Sequence, residues 1–269
     1  MVALYSRVRG DGPLVLLLQG GDGRSEGTDG LVEQLQDRFT LLSYDRRGLV
    51  RSPDDPGVAS DPDTRLQQHA DDAAGLLDAH TDRPAVVFGT SIGAVIGLEL
   101  LTRHPDRVSL LVAHEPPAVD LLPHDERAAA AAQQERIEAA SVAGGAFAAM
   151  RQFLVATGID PTDAEPDVRL GPPASDRLTD VETFLRHDAP AVARYRPDRA
   201  ALQALADRIV PAVGENSARL FPGRCAQALG ELLERPVERF PGGHSGFALR
   251  PRGFAARLAE VLAGAPTTR

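Results

Sequence analysis

The 269-residue chain contains no lysine: all 29 of its basic residues are arginine. A Schiff-base intermediate or a lysine general base is therefore excluded. Tryptophan is absent and aromatic residues make up only 4% of the chain, so the core must be built from aliphatic side chains. The single cysteine, Cys225, cannot close an internal disulfide. A reducing, cytoplasmic compartment is the expectation, with Cys225 a small apolar helix residue. No apolar stretch approaches the roughly 20 residues that a membrane span requires, and residues 1–7 have no apolar leader segment. Positive charge is also in deficit: the formal net charge is −9, which argues against nucleic acid as a partner. No internal repeats occur.

What the chain does have is alternation. Residues 2–8, 14–18, 39–44, 85–88, 108–113, 208–213 and 237–240 read as strands, several of them continuous apolar runs of the kind covered on both faces. Helical patterns fall between them, for example over 64–80, 218–229 and 246–262. From Pro117 to about Ala200 the strand-type runs disappear, and helical patterns rich in Ala, Arg and Asp replace them, one over 125–140 and another over 145–156. Residues 53–62 and 159–173 read as loops and 263–269 as a disordered tail. The predicted fold class is α/β, a mostly parallel doubly wound sheet. Residues 1–116 and 201–269 form its core, and 117–200 a helical cap over the carboxyl ends of the strands, where such sheets bind ligands.

The organising stretch is 85–105. An apolar run leads into Gly89-Thr90-Ser91-Ile92-Gly93, and helical spacing follows until Pro105. Strand, G-x-S-x-G, helix is the context of a nucleophile elbow, in which two glycines let strand and helix approach and leave the serine hydroxyl at the tip of a tight turn. Ser91 is the candidate nucleophile.

Four segments in order, Gln19-Gly20-Gly21, Asp45-Arg46-Arg47-Gly48 with Ser52, the elbow, and Pro241-Gly242-Gly243-His244, make the chain resemble the α/β-hydrolase family over nearly its whole length. The resemblance implies a cofactor-independent, metal-free enzyme with a serine, a histidine, an acid and an oxyanion hole. His244 is the expected base. Its loop lies between a strand and the last helix, with glycines that let the imidazole bend toward Ser91. By the family pattern the oxyanion hole comes from the amides of Gly21 and Ile92. Gln19 stands where relatives commonly have His; it shapes the loop and counts, with His114, among the candidate substrate-contact residues. His114 ends the strand beside the elbow, where pocket lining and plain packing are both open. The turn at Asp45 to Gly48 is read as a structural arginine network.

The acid departs from the pattern. Many relatives carry it as Gly-x-x-Asp after the strand matched by 208–213, but here that loop reads Gly214-Glu215-Asn216-Ser217. Two carboxylates are candidates: Glu115, ending the strand beside the elbow, and Glu215, in the loop itself, with Glu115 preferred. The resemblance thus implies hydrolysis of an ester, thioester or lactone of a hydrophobic small molecule, with Phe147, Met150, Phe153, Leu154, Phe184 and Leu185 as the apolar cap surface. The serine at the elbow argues against haloalkane dehalogenase and epoxide hydrolase chemistry, which needs Asp there. Two alternatives stay open: a non-hydrolytic cyclase, lyase or cofactor-free oxygenase of specialised metabolism, and a binding protein without turnover.

Overall fold

Consecutive side chains of an extended strand point to opposite faces, so a strand that is apolar throughout demands cover on both. The computed structural model, described here for residues 4–54, 61–168 and 175–264, meets that demand. Leu16 and Leu18 of one strand join the buried cluster on one face, with Ala73, Leu77, Val95 and Leu98; Val15 and Leu17 join the other, with Leu31, Leu35, Phe254 and Leu258.

The strands are β1 (Ser6–Arg9), β2 (Leu14–Leu18), β3 (Thr40–Tyr44), β4 (Ala85–Thr90), β5 (Val108–His114), β6 (Ile209–Gly214) and β7 (Glu238–Phe240). They form one sheet in the order β1-β3-β2-β4-β5-β6-β7. Among these seven strands only the β1–β3 pairing is antiparallel. The helices are α1 (Asp29–Leu35), α2 (Arg65–His80) and α3 (Ile92–Arg103), then α4 (His124–Thr157), α5 (Ser175–Thr183), α6 (Ala189–Arg194), α7 (Arg199–Ala204), α8 (Phe221–Leu233), α9 (Gly246–Leu249) and α10 (Pro251–Ala263). The helix expected over 246–262 is split at Arg250, because Pro251 cannot continue the preceding hydrogen-bond ladder.

Between β5 and β6 the described residues contain no strand, and α4 to α7 form the helical cap. The two patterns expected over 125–140 and 145–156 run together as the 34-residue α4, which is broken where Gly144 and Gly145 leave helical geometry (φ −144° and +70°). The turn Phe184–Asp188 is π-helical. By length and composition alone α4 is long and apolar enough to cross a membrane. This corrects the expectation that no such stretch exists: alanines and glycines raise the hydropathy without forming an uninterrupted run of large apolar residues. The expected tail, and parts of the loops at 53–62 and 159–173, lie outside the described residues.

Candidate active site

The carboxyl edge of a parallel sheet collects the ends of neighbouring strands, and here each contributes one group. β4, β5 and β6 lie side by side with Thr90 opposite His114 and His114 opposite Ala212. The residue after β4 is therefore next to the residue after β5, which is next to the end of β6.

Ser91 follows β4 with φ 54° and ψ −127°, a backbone conformation costly for any residue but glycine. Surrounding contacts hold it there. Its N–H donates to the His114 carbonyl at 2.9 Å, and its own carbonyl accepts from Ala94 at 2.9 Å. A Cβ on Gly89 would come within 2.5 Å of the Gly93 carbonyl oxygen, and one on Gly93 within 2.1 Å of the Leu18 carbonyl oxygen. Side chains at either position would push α3 away from the sheet and dismantle the turn.

Glu115 follows β5 and is likewise strained, with φ 49°. Its N–H donates to the Ala212 carbonyl at 2.9 Å, which turns the side chain inward, and it is fully buried. One carboxylate oxygen, Oε2, faces His244 Nδ1 at 2.6 Å. The other, Oε1, accepts from the Gly214 N–H at 2.8 Å and from the Ser217 hydroxyl. Burial by itself would raise the Glu115 carboxyl, but the hydrogen bond from His244, the neighbouring imidazoles and the Ser217 hydroxyl outweigh it and bring it down to about 2. An ionised Glu115 fixes the proton of His244 on Nδ1 and leaves Nε2 as the acceptor.

His244 sits in the loop between β7 and α9, where Gly242 has φ +84°. A Cβ on Gly214 would lie 2.7 Å from the Gly243 carbonyl group. Only a glycine at the end of β6 lets the histidine loop come this close to Glu115. The imidazole is buried, and the ring of Phe153 packs edge-on against it at 6.4 Å.

The loop after β2 completes the edge. Arg46, buried against it, donates to the carbonyls of Gln19 (3.3 Å), Gly20 (2.8 Å) and Gly21 (3.3 Å). Gly21 packs under the Phe184 ring, 3.4 Å from where a Cβ would be. Ile92 opens α3, so its N–H has no partner one turn back within the helix.

Two cavities of about 420 Å³ each meet over this edge and share Ser91, Phe153, Phe184, Leu185 and His244. The Phe153 and Phe184 rings, edge to face at 6.3 Å, stand at the junction. The first cavity runs under α4 past Ile137, Ala130 and Val192; the second runs past Met150, Leu154 and Phe247 and holds Gly21, Asp22 and Arg177.

Several sequence expectations need correcting. Glu215 is exposed, and its N–H is tied to the Phe240 carbonyl at 3.0 Å. The carboxylate against His244 is that of Glu115, because the chain after β6 turns the Glu215 side chain to solvent. His114 lines neither cavity. Its ring is buried beneath the sheet edge among Phe88, Phe240 and Phe254, with Nδ1 3.1 Å from the Thr90 hydroxyl. Burial lowers its pKa to about 4. Gln19 is buried and lines neither cavity; its role is through its carbonyl, on Arg46. Phe147 is 67% exposed on the outer face of α4, whereas Met150, Phe153, Leu154, Phe184 and Leu185 do line the cavities. Ser217, which holds Glu115, escaped the sequence reading. Its signal was its position, where relatives place the acid itself.

An α/β sheet with a strained serine after β4, a histidine held by a buried carboxylate and a helical cap defines a class of hydrolytic enzyme folds, and the comparisons agree. Residues 13–251 match the family described as alpha/beta hydrolase fold, and the chain belongs to that family. It is 34% identical over 265 residues to the "Uncharacterized hydrolase YraK" of Bacillus subtilis, covering 96% of this chain and 92% of the relative. Over 142 residues, 52% of this chain and 47% of the relative, it is 32% identical to 2-(acetamidomethylene)succinate hydrolase of Mesorhizobium japonicum. Among solved structures, a thermophilic esterase from Thermogutta terrifontis in a malate-bound form superposes with a TM-score of 0.73 at 21% identity, covering 99% of this chain and 95% of that one. This last likeness concerns the fold. Together with the family match, the relatives make the chain a hydrolase of the α/β-hydrolase family.

Proposed function

We propose that the protein is a serine hydrolase that cleaves an ester, thioester or lactone of a small molecule with a hydrophobic part. The observation that carries this reading is the Glu115–His244 pair at 2.6 Å, opening on a cavity that also contains Ser91. His244 Nε2 takes the Ser91 proton as the hydroxyl oxygen attacks the carbonyl carbon. The carbonyl π-electrons move to oxygen, and the amides of Gly21 and Ile92 receive the oxyanion. As the tetrahedral intermediate collapses, His244 returns the proton to the departing alcohol or thiol. Water, activated by the same imidazole, then releases the acid. Glu115 stays ionised and stabilises the imidazolium formed in each half-reaction.

A lyase or oxygenase reading drew its force from the missing Gly-x-x-Asp. Glu115 supplies the carboxylate from β5 instead, so the hydrolytic reading is preferred. The apolar first cavity suits a hydrophobic substituent, and a cytoplasmic setting belongs to the same proposal.

A fluorophosphonate probe tests it. Wild type should be labelled rapidly, and Ser91→Ala should lose both labelling and ester hydrolysis while keeping its circular-dichroism spectrum. A folded wild-type protein that resists the probe would end the proposal.

A further inference from the structure

The second cavity, which holds Gly21 and Ser91, also contains a charged side chain with no close partner. Arg177, projecting from α5 of the cap, lines it, and among the described residues its one ion pair is to Asp22 at 3.8 Å, beyond hydrogen-bond length. The other charges around it are matched. Glu26, which also lines this cavity, is held by Arg51 through contacts of 2.6 and 2.5 Å. Arg24 is held by Asp180, and Arg46 by Asp188 at 2.8 Å. Asp22, the remaining candidate, is poorly suited to neutralise Arg177. Its side chain is 39% accessible and lines the cavity. Burial pushes its carboxyl up, against the opposing charges of Arg177, Arg46 and Arg24.

We infer that Arg177 binds an anionic group of the substrate, a carboxylate, with Asp22 beside it as hydrogen-bond partner. This deepens the serine-hydrolase reading and rests on it. A guanidinium offers a planar fork of donors that matches a carboxylate in two parallel hydrogen bonds. The 3.8 Å gap leaves the guanidinium free to take an incoming carboxylate in that way. Asp22 can take up one proton as the anion enters and then donate its O–H to the ligand, so that three groups, one cationic, one anionic and one neutral, share the site. The cavity also bounds the ligand. Gly21, Asp22 and Arg177 line the same cavity as Ser91, so a ligand whose carboxylate meets Arg177 can present its carbonyl to the Gly21 amide from the same space. The remaining walls, Met150, Leu154, Val181 and Phe247, suit a short aliphatic spacer. A half-ester of a short dicarboxylic acid has this shape.

The experiment is protection of Ser91 from a fluorophosphonate by monoethyl succinate or by ethyl butyrate, which have similar length and differ in charge. Monoethyl succinate should halve the labelling rate of wild type at a concentration at least about tenfold lower than ethyl butyrate. That preference should disappear in Arg177→Gln and survive in Asp22→Asn, which keeps a donor while removing the internal competitor for Arg177. Adding salt to wild type should weaken protection by the anion only; this measurement does not depend on a variant folding. Equal protection by the two esters, or a preference unchanged in Arg177→Gln, overturns the inference while leaving the serine reading intact. Absence of labelling in the folded protein removes both.

Discussion

Glu115 shows how much one backbone angle can decide. With φ at 49° the residue leaves the strand direction and points its carboxylate back under the sheet edge, where Gly214, Ser217 and His244 use both oxygens. A glutamine there would keep the shape but lose the charge opposite the imidazolium, and would let the imidazole adopt the other tautomer. Loss of the corresponding charge in a serine protease costs about 10⁴ in kcat. We therefore expect Glu115→Gln to lower kcat on an activated ester by about three to four orders of magnitude with little change in KM, and Glu215→Gln to change it less than about twofold. Comparable losses in the two variants would show that Glu115 is not the acid. The serine at 217, a departure from the family pattern when taken alone, becomes intelligible beside Glu115: its hydroxyl donates to a carboxylate that reaches it from the neighbouring strand.

At the scale of elements, the cap and the loop after β2 are joined by one buried carboxylate. Asp188, at the end of the π-helical turn, accepts from Arg46 at 2.8 Å and from Arg65 at 3.0 Å, with His69 Nε2 at 3.1 Å. All four side chains are buried. Arg46 in turn holds the carbonyls of Gly20 and Gly21, so the position of the cap and the direction of the Gly21 amide are set by the same guanidinium. Removing one member of a buried ion pair leaves the others charged and unmatched, at a cost of about 3–5 kcal/mol. Asp188→Asn should therefore lower the urea midpoint substantially and slow acylation of Ser91 more than it weakens binding. An unchanged midpoint would mean that cap and core are held together elsewhere. The arginine network was legible in Asp45-Arg46-Arg47-Gly48, but its acceptor was not. Asp188 lies 142 positions from Arg46, in a turn whose irregular helical geometry no periodicity announces.

For the whole molecule, buried histidines couple stability to pH. His114 has its pKa lowered to about 4, and His69 is lowered too, in both cases by burial. Unfolded, each would titrate near 6.5. Between those values the unfolded chain binds protons that the folded one refuses, so stability is full above about pH 6.5 and falls as pH drops toward 4. The His114 shift corresponds to about 3 kcal/mol over that window. Glu115, held down at about 2, adds a second loss below its unfolded value near 4.5. Urea midpoints at pH 7.5 and 4.5 should differ accordingly, and His114→Phe, which suits its aromatic surroundings, should reduce the difference. A pH-independent midpoint would contradict the burial of both imidazoles.

Local chemistry was enough to identify the frame of this protein. Continuous apolar runs specify strands covered on both faces, paired glycines around Ser91 specify the elbow, and the loss of strand patterns after Pro117 marks the cap, because each of these depends on neighbours in the chain. The choice between Glu115 and Glu215, the burial of His114 and Gln19, and the meeting of Asp22 with Arg177 depend instead on which strand ends lie side by side and which way each side chain turns there. Those are contacts between residues far apart in sequence, and only the folded sheet and its cap determine them.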